Sequence, residues 1–376
     1  MFDRAEDQLA ALLEGTIDQL ELPPELHRSA ARQYQRVAEY LGAGDEFDDT
    51  DLAIYPQGSF RLGTVVLPLG RSDYDIDLVF RLAIAKEATT QKGLKGAAGE
   101  RLGEFVRDCI GDCPSLTEGG RCWTLGWPRF HMDVLPSLPN PENRPHGILL
   151  TDRDLRHWQW SNPIGFANWF HKRMEKQLFS LREALAQKRG VNIEQVQEWE
   201  VKTSLQQTVQ VLKRHRDLFF EVDPEHRPPS ILLTTLAAHA YRREANLFEA
   251  VINAATAMPR FVENRDGIWW VANPVLAEEN FADRWRTHPE RRHHFVTWMQ
   301  QVQQDLEQAA EQRGLDRVVA RLTEGFGVEV KKAAESIGLG YRDARRSGTL
   351  ASAAGTGTLL SGSGTRVRDH TFYGRH

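Results

Sequence analysis

Cysteine is scarce in this 376-residue chain: Cys109, Cys113 and Cys122 are the only three, and no two of them form a CxxC pair. That excludes a disulfide framework, and buried reduced thiols suit them better than a zinc site shared with His131. Long apolar runs are missing as well. Nothing approaches the roughly 18 consecutive apolar residues of a membrane span, and the acidic start, Met1 to Asp7, is no signal peptide, so a cytoplasmic protein is expected. A strong excess of either charge is also absent. A net charge of −5 argues against a chain whose main task is gripping long nucleic acid by its phosphates, although a local basic groove remains compatible with it. No internal repeat is evident. What is present is ordinary for a globular protein: 41% hydrophobic residues and ten tryptophans, enough for two cores at roughly 100–200 residues per domain.

The hydrophobic pattern divides the chain. Leu9, Leu12, Leu13 and Ile17 fall at helical spacing, and a second helical run follows Pro23-Pro24. Strands are expected at 52–55 and 76–80, with a short helix at 60–64 between them. An amphipathic helix is expected over 99–110, then three short strands near 115–117, 121–125 and 129–135. Beyond Pro163 the pattern turns helical, at 164–187, 199–220, 230–241, 247–261, 289–312 and 315–337. The fold class is therefore α+β in two lobes: a mixed-sheet core with N-terminal helices (1–160) and a helical lobe (161–340), followed by a flexible tail (341–376) of small residues. A cleft between such lobes is a natural ligand site.

Asp75 and Asp77 lie two apart on a predicted strand, so both side chains point to one face. Carboxylates about 4 Å apart repel by about 4 kcal/mol at an effective dielectric near 20. A bound cation offsets that repulsion, and oxygen-only ligands favour magnesium over zinc. Asp73 shares the alternation but more simply ends the Gly70-Arg71-Ser72 loop. Asp133 sits among apolar residues in Phe130-His-Met-Asp-Val-Leu-Pro136, a poor place for an unpaired charge. If its strand lies beside Asp75 and Asp77, three carboxylates converge as two-metal phosphoryl transfer requires. Gly58-Ser59 lies upstream. The glycine allows close backbone approach to a phosphate, while the serine hydroxyl and the following helix start donate hydrogen bonds to it.

Together, Gly58-Ser59, Asp75-Ile-Asp77 and Asp133 resemble the signature of the DNA polymerase β-like nucleotidyltransferases. More specifically, Tyr55-Pro-Gln-Gly-Ser-Phe-Arg-Leu-Gly-Thr64 and Tyr74-Asp-Ile-Asp-Leu-Val79 resemble the bacterial cGAS/DncV-like nucleotidyltransferases (CD-NTases), which make cyclic oligonucleotide messengers in CBASS anti-phage defence. The resemblance continues through Leu205–Asp217 and Pro229–Leu236, which look like the helical lobe of that family. It implies that Asp75, Asp77 and Asp133 are catalytic and hold two Mg²⁺ ions, with Mn²⁺ as a substitute. It also implies that Gly58, Ser59, Lys213 and Ser230 bind the donor triphosphate. On residue type alone, Ser230 reads equally well as a helix N-cap, and one of Lys213, Arg214 and Arg216 is expected to face solvent.

The implied reaction is template-independent joining and cyclisation of two NTPs, ATP and GTP first among them, to a purine cyclic dinucleotide such as cyclic GMP-AMP, with pyrophosphate released. The alternative is a linear-product transferase that adds nucleotides to RNA or AMP to a protein. The implied partners are the NTPs, a downstream effector reached through the cyclic product, and a ubiquitin-transfer-like protein acting on the tail at His370-Thr-Phe-Tyr-Gly374. Activation by double-stranded DNA is not expected, since no His/Cys-rich insertion like the zinc element of the animal DNA sensor is present. No membrane association is expected.

Overall fold

The computed structural model describes residues 5–42, 54–70, 73–82, 84–143, 145–151, 157–347, 350–352, 359–361 and 365–366. Helices α1 (Ala5–Asp18) and α2 (Pro24–Gly42) open the chain, and α3 (Gly58–Leu62) follows strand β1 (Ile54–Pro56). Strand β2 (Tyr74–Arg81) leads to α4 (Gln91–Asp108), which starts at Thr90, whose hydroxyl accepts from Gly93 N at 3.1 Å. Then come β3 (Ser115–Glu118), β4 (Trp123–Trp127), β5 (Phe130–Pro139), β6 (Ile148–Leu150) and β7 (Gln159–Ser161). These seven strands form one mixed sheet, ordered β1-β2-β5-β4-β3, with β6 and β7 added beyond the far end of β5. Only β2 and β5 run parallel.

The alternation in β2 explains how the sheet is placed. Tyr74, Ile76, Leu78 and Phe80 are buried against α2 and α4 together with Met132 and Val134 of β5. Asp75 and Asp77 consequently fall on the opposite face, held at fixed positions by the ladder.

The helical lobe comprises α5 (Pro163–Arg189), α6 (Ser204–Phe219), α7 (Ser230–Ala240), α8 (Leu247–Ala257), α9 (Glu290–Ala310), α10 (Leu315–Phe326) and α11 (Glu329–Arg346). Two small hairpins, β8–β9 (Glu263–Arg265, Ile268–Trp270) and β10–β11 (Ala272–Asn273, Leu276–Asn280), interrupt it before α9. Its apolar core includes Trp298, Phe295, Leu232 and Leu236. The same core takes in Leu9, Leu12, Leu13 and Ile17, so α1 packs into the helical lobe although the sequence pattern grouped it with the sheet. Periodicity shows that α1 has an apolar face, but not which distant surface covers it.

Two further differences have local causes. The single helix expected over 315–337 is two, broken at Gly327, whose φ of +96° no helix accommodates. The expected tail starts within α11, and short strands at Leu350–Ser352, Leu359–Ser361 and Thr365–Arg366 pair with one another. His370–Gly374 lies outside the described residues. Among those described, no helix is long and apolar enough to cross a membrane.

Candidate active site

Because β2 and β5 are parallel and in register, Asp77 stands beside Asp133 and Asp75 beside His131. All four side chains are half-buried on one face, with Ile76 and Met132 buried on the other. Each aspartate has a different setting. Asp75 pairs with His131 Nε2. Asp133 Oδ1 accepts a 2.6 Å hydrogen bond from Thr124 Oγ1, its neighbour on β4. Asp77 is the deepest: desolvation, then the charges of Asp133 and Asp75, push its carboxyl up to about 6, with Lys213 and Arg121 opposing the shift.

Gly58 follows directly from this crowding. Gln57 N donates to Asp77 O at 2.8 Å, so the turn is pinned against β2. Gly58 has a φ of +60°, and a Cβ there would lie 2.6 Å from Asp77 Oδ2. A side chain at this position would displace the carboxylate, so only glycine lets the Ser59 backbone pass so near.

The opposite wall belongs to α6, which begins in a capping box of Thr203 and Gln206. Gln206, Gln210 and Lys213 share one face of the helix, and they reach the last residue of α3 and the segment after it. Gln206 Nε2 donates to Leu62 O at 3.0 Å, Gln210 Nε2 to Val65 O at 2.9 Å, and Lys213 Nζ to Thr64 O at 2.8 Å. Lys213 is buried, and desolvation, followed by the neighbouring Arg216, lowers its ammonium to about 7.

Arg216 Nη1 donates to Ser230 Oγ at 2.9 Å, while its Nε and Nη2 grip Asp217 Oδ1 at 2.9 and 2.7 Å. Ser230 is the first residue of α7. The capping position is Pro229, so the N-cap alternative does not hold, and the hydroxyl, already accepting from Arg216, keeps its proton for a ligand. Lys213, Arg214 and Arg216 are all buried, contrary to the expectation that one faces solvent. Arg214 instead pairs with Glu329 of α11 at 3.2 Å.

Between the walls lies a cleft of about 660 Å³ bordered by Gly58, Ser59, Asp75, Asp77, Lys213 and Ser230. Six of the seven residues singled out from sequence thus meet in one cavity. Asp133 stands one strand away, beside Asp77, and does not border it.

Three carboxylates, crowded enough to raise the carboxyl of Asp77, suit a hard divalent cation such as Mg²⁺. Their oxygens are not drawn into one tight set, however. Among the described residues, the group of three or more acidic, histidine or cysteine side chains with donor atoms all within 4.8 Å of one another lies elsewhere. Asp75 is turned to His131 instead. The donor chemistry fits the ion, and Asp75 engages His131 through Oδ1 alone.

No family model matches the chain. It is 28% identical to a c-di-GMP synthase of Roseivirga ehrenbergii, with 86% of this chain and 84% of that protein covered. It is 26% identical to the cyclic dinucleotide synthase CdnG of Bradyrhizobium diazoefficiens, over 99% and 97% of the two chains. Among solved structures, that CD-NTase, in complex with GTP, superposes with a TM-score of 0.69 at 23% identity, covering 88% of this chain and all of the other. The cyclic AMP-GMP synthase DncV of Vibrio cholerae superposes at 0.54 and 15% identity, covering 89% and 93%. The fold is that of the CD-NTases. The chain is a nucleotidyltransferase.

Within this CD-NTase fold, sequence reasoning missed His131, Gln206, Gln210, Arg216 and Asp217. The two glutamines had a visible signal, polar residues at helical spacing in line with Lys213 along one face of α6. His131 had one as well, since it alternates with Asp133 as Asp75 does with Asp77. Arg61 borders a separate hollow and donates to Pro56 O at 3.5 Å. Arg71 lies outside the described residues.

Proposed function

We propose that the chain joins two purine nucleoside triphosphates and closes them into a cyclic dinucleotide, releasing pyrophosphate, as a signal in anti-phage defence of the CBASS type. The observation that carries this reading is the cleft with carboxylates on one wall and buried cations on the other. The donor triphosphate lies against Lys213, Ser230 and Arg216, with the Ser59 backbone turned to it by Gly58, and its α-phosphate near Asp77. Mg²⁺ held by Asp75, Asp77 and Asp133 would neutralise phosphate charge and lower the pKa of the attacking hydroxyl.

The ribose hydroxyl oxygen of the second nucleotide bonds to the α-phosphorus, the bond to the β-phosphate oxygen breaks, and pyrophosphate leaves. Asp133 takes the hydroxyl proton through the carboxylate oxygen not engaged by Thr124. A neighbouring cleft of about 820 Å³ shares Arg227 and Ile231 with the first and offers Trp160 and Trp270 as stacking surfaces, which supports room for the second nucleotide.

The base assignment draws on the relatives: one is named a c-di-GMP synthase, and CdnG was solved with GTP. Cyclic di-GMP therefore stands ahead of cyclic GMP-AMP for this chain. The complex of the CD-NTase CdnC of Escherichia coli MS115-1 with HORMA-deltaN, at a TM-score of 0.62, supports a protein partner as well.

Incubation with all four NTPs and Mg²⁺, followed by mass analysis, tests the reading. The expected product has the mass of a purine cyclic dinucleotide and survives phosphatase. Linear oligonucleotides alone would replace this reading with the linear-transferase alternative.

A further inference from the structure

The loop that delivers Ser230 to the cleft carries a second group of donors on its outer side. Asp223 precedes a 3₁₀ turn at Pro224–His226, and both its carboxylate oxygens lie 2.7 Å from His226 Nδ1. His294, near the start of α9, lays its imidazole on that of His226, with ring centroids 4.4 Å apart and planes 26° apart. One donor atom each from Asp223, His226 and His294 lies within 4.8 Å of the others. Glu290 lies at the other edge of the His226 ring, 3.8 Å from Nε2. The three side chains are half-buried, and they come from two elements far apart in sequence, so no local motif announces them.

We propose that Asp223, His226 and His294 form a transition-metal site, zinc by donor chemistry, that fastens the loop before Ser230 to helix α9. Two imidazoles and one carboxylate form a borderline donor set, which discriminates against Mg²⁺ and Ca²⁺ and suits Zn²⁺. Tetrahedral zinc with bonds of about 2.0 Å sets its donors about 3.3 Å apart, a contraction that side-chain rotation supplies. A water completes the fourth position.

The consequence reaches the cleft through the chain. Arg227 follows His226 directly and borders the cavity, Pro228 O accepts from Arg216 at 3.2 Å, and Ser230 comes two residues later. A bound ion would hold this loop against α9 and steady Ser230. The role is positional and separate from the carboxylates of β2 and β5.

The test uses the full chain carrying no polyhistidine tag, stripped of metal and titrated with Zn²⁺ against a chromophoric chelator, with Co²⁺ as a spectroscopic probe. One equivalent of Zn²⁺ is expected, bound at least 100-fold more weakly by His294→Gln and by Asp223→Asn. Co²⁺ should give visible d–d bands that His294→Gln abolishes. Both substitutions keep a polar side chain at a half-buried position, and circular dichroism of the metal-free proteins checks their folding. A variant with Cys109, Cys113 and Cys122 all changed to Ser should bind Zn²⁺ as the unaltered chain does. Binding that is absent from the unaltered chain, unchanged in His294→Gln, or lost in the cysteine variant overturns the assignment.

Discussion

Lys213 is the side chain whose charge state bears most directly on substrate binding. Burial holds its ammonium near 7 in the ligand-free protein, well below an exposed lysine. A triphosphate favours the protonated form, so binding takes up a proton once the pH exceeds that value. Affinity for the donor nucleotide is therefore expected to fall as pH rises from about 7 to about 9, the slope approaching one decade per pH unit. Lys213→Met should bind about 10- to 100-fold more weakly near pH 7 and lose most of that slope, as measured by calorimetric titration at several pH values. An unaltered slope in the variant would assign the titration to another group. At this scale much of the site was legible in the sequence. Asp75 and Asp77 are marked by strand alternation, Asp133 by its apolar flanks, and Gly58 by its place before them. The pairing of Asp75 with His131 was not, because periodicity gives the face of a side chain but not the neighbour across a ladder whose register is unknown.

Helix α6 joins the two lobes. Its glutamines satisfy backbone carbonyls of Leu62 and Val65 that are otherwise held away from water, and a buried acceptor without a partner costs about 1–3 kcal/mol. Gln206→Ala together with Gln210→Ala is expected to lower stability by about 2–4 kcal/mol in urea unfolding, with KM for the nucleotide rising more than kcat falls. A loss of stability with unchanged KM would show that the glutamines support the fold without setting the cleft. The elements themselves were largely readable. Pro163 and Gly190 stand where α5 begins and ends, whereas the helix expected from 199 begins only at Ser204, after the Thr203 cap. The break at Gly327 was concealed because α10 and α11 both continue an amphipathic pattern across it. β6 and β7, three residues each, are too short to show a period.

For the whole molecule, the arrangement of lobes depends on contacts that local sequence cannot encode. Helix α1 buries Leu9, Leu12, Leu13 and Ile17 in the helical core, so the start of the chain supports the lobe opposite the one it precedes. The cleft exists because that lobe presents Lys213 and Ser230 to the face of the sheet where Asp75 and Asp77 stand. Those lobes and that cleft carry the claim of metal-dependent nucleotidyl transfer. It is tested most directly by following pyrophosphate release and product mass from GTP and ATP with Mg²⁺, comparing the unaltered chain with Asp75→Ala plus Asp77→Ala. Both proteins should be folded by circular dichroism, and the double variant should form no product and release no pyrophosphate. Synthesis retained by the double variant would contradict the account.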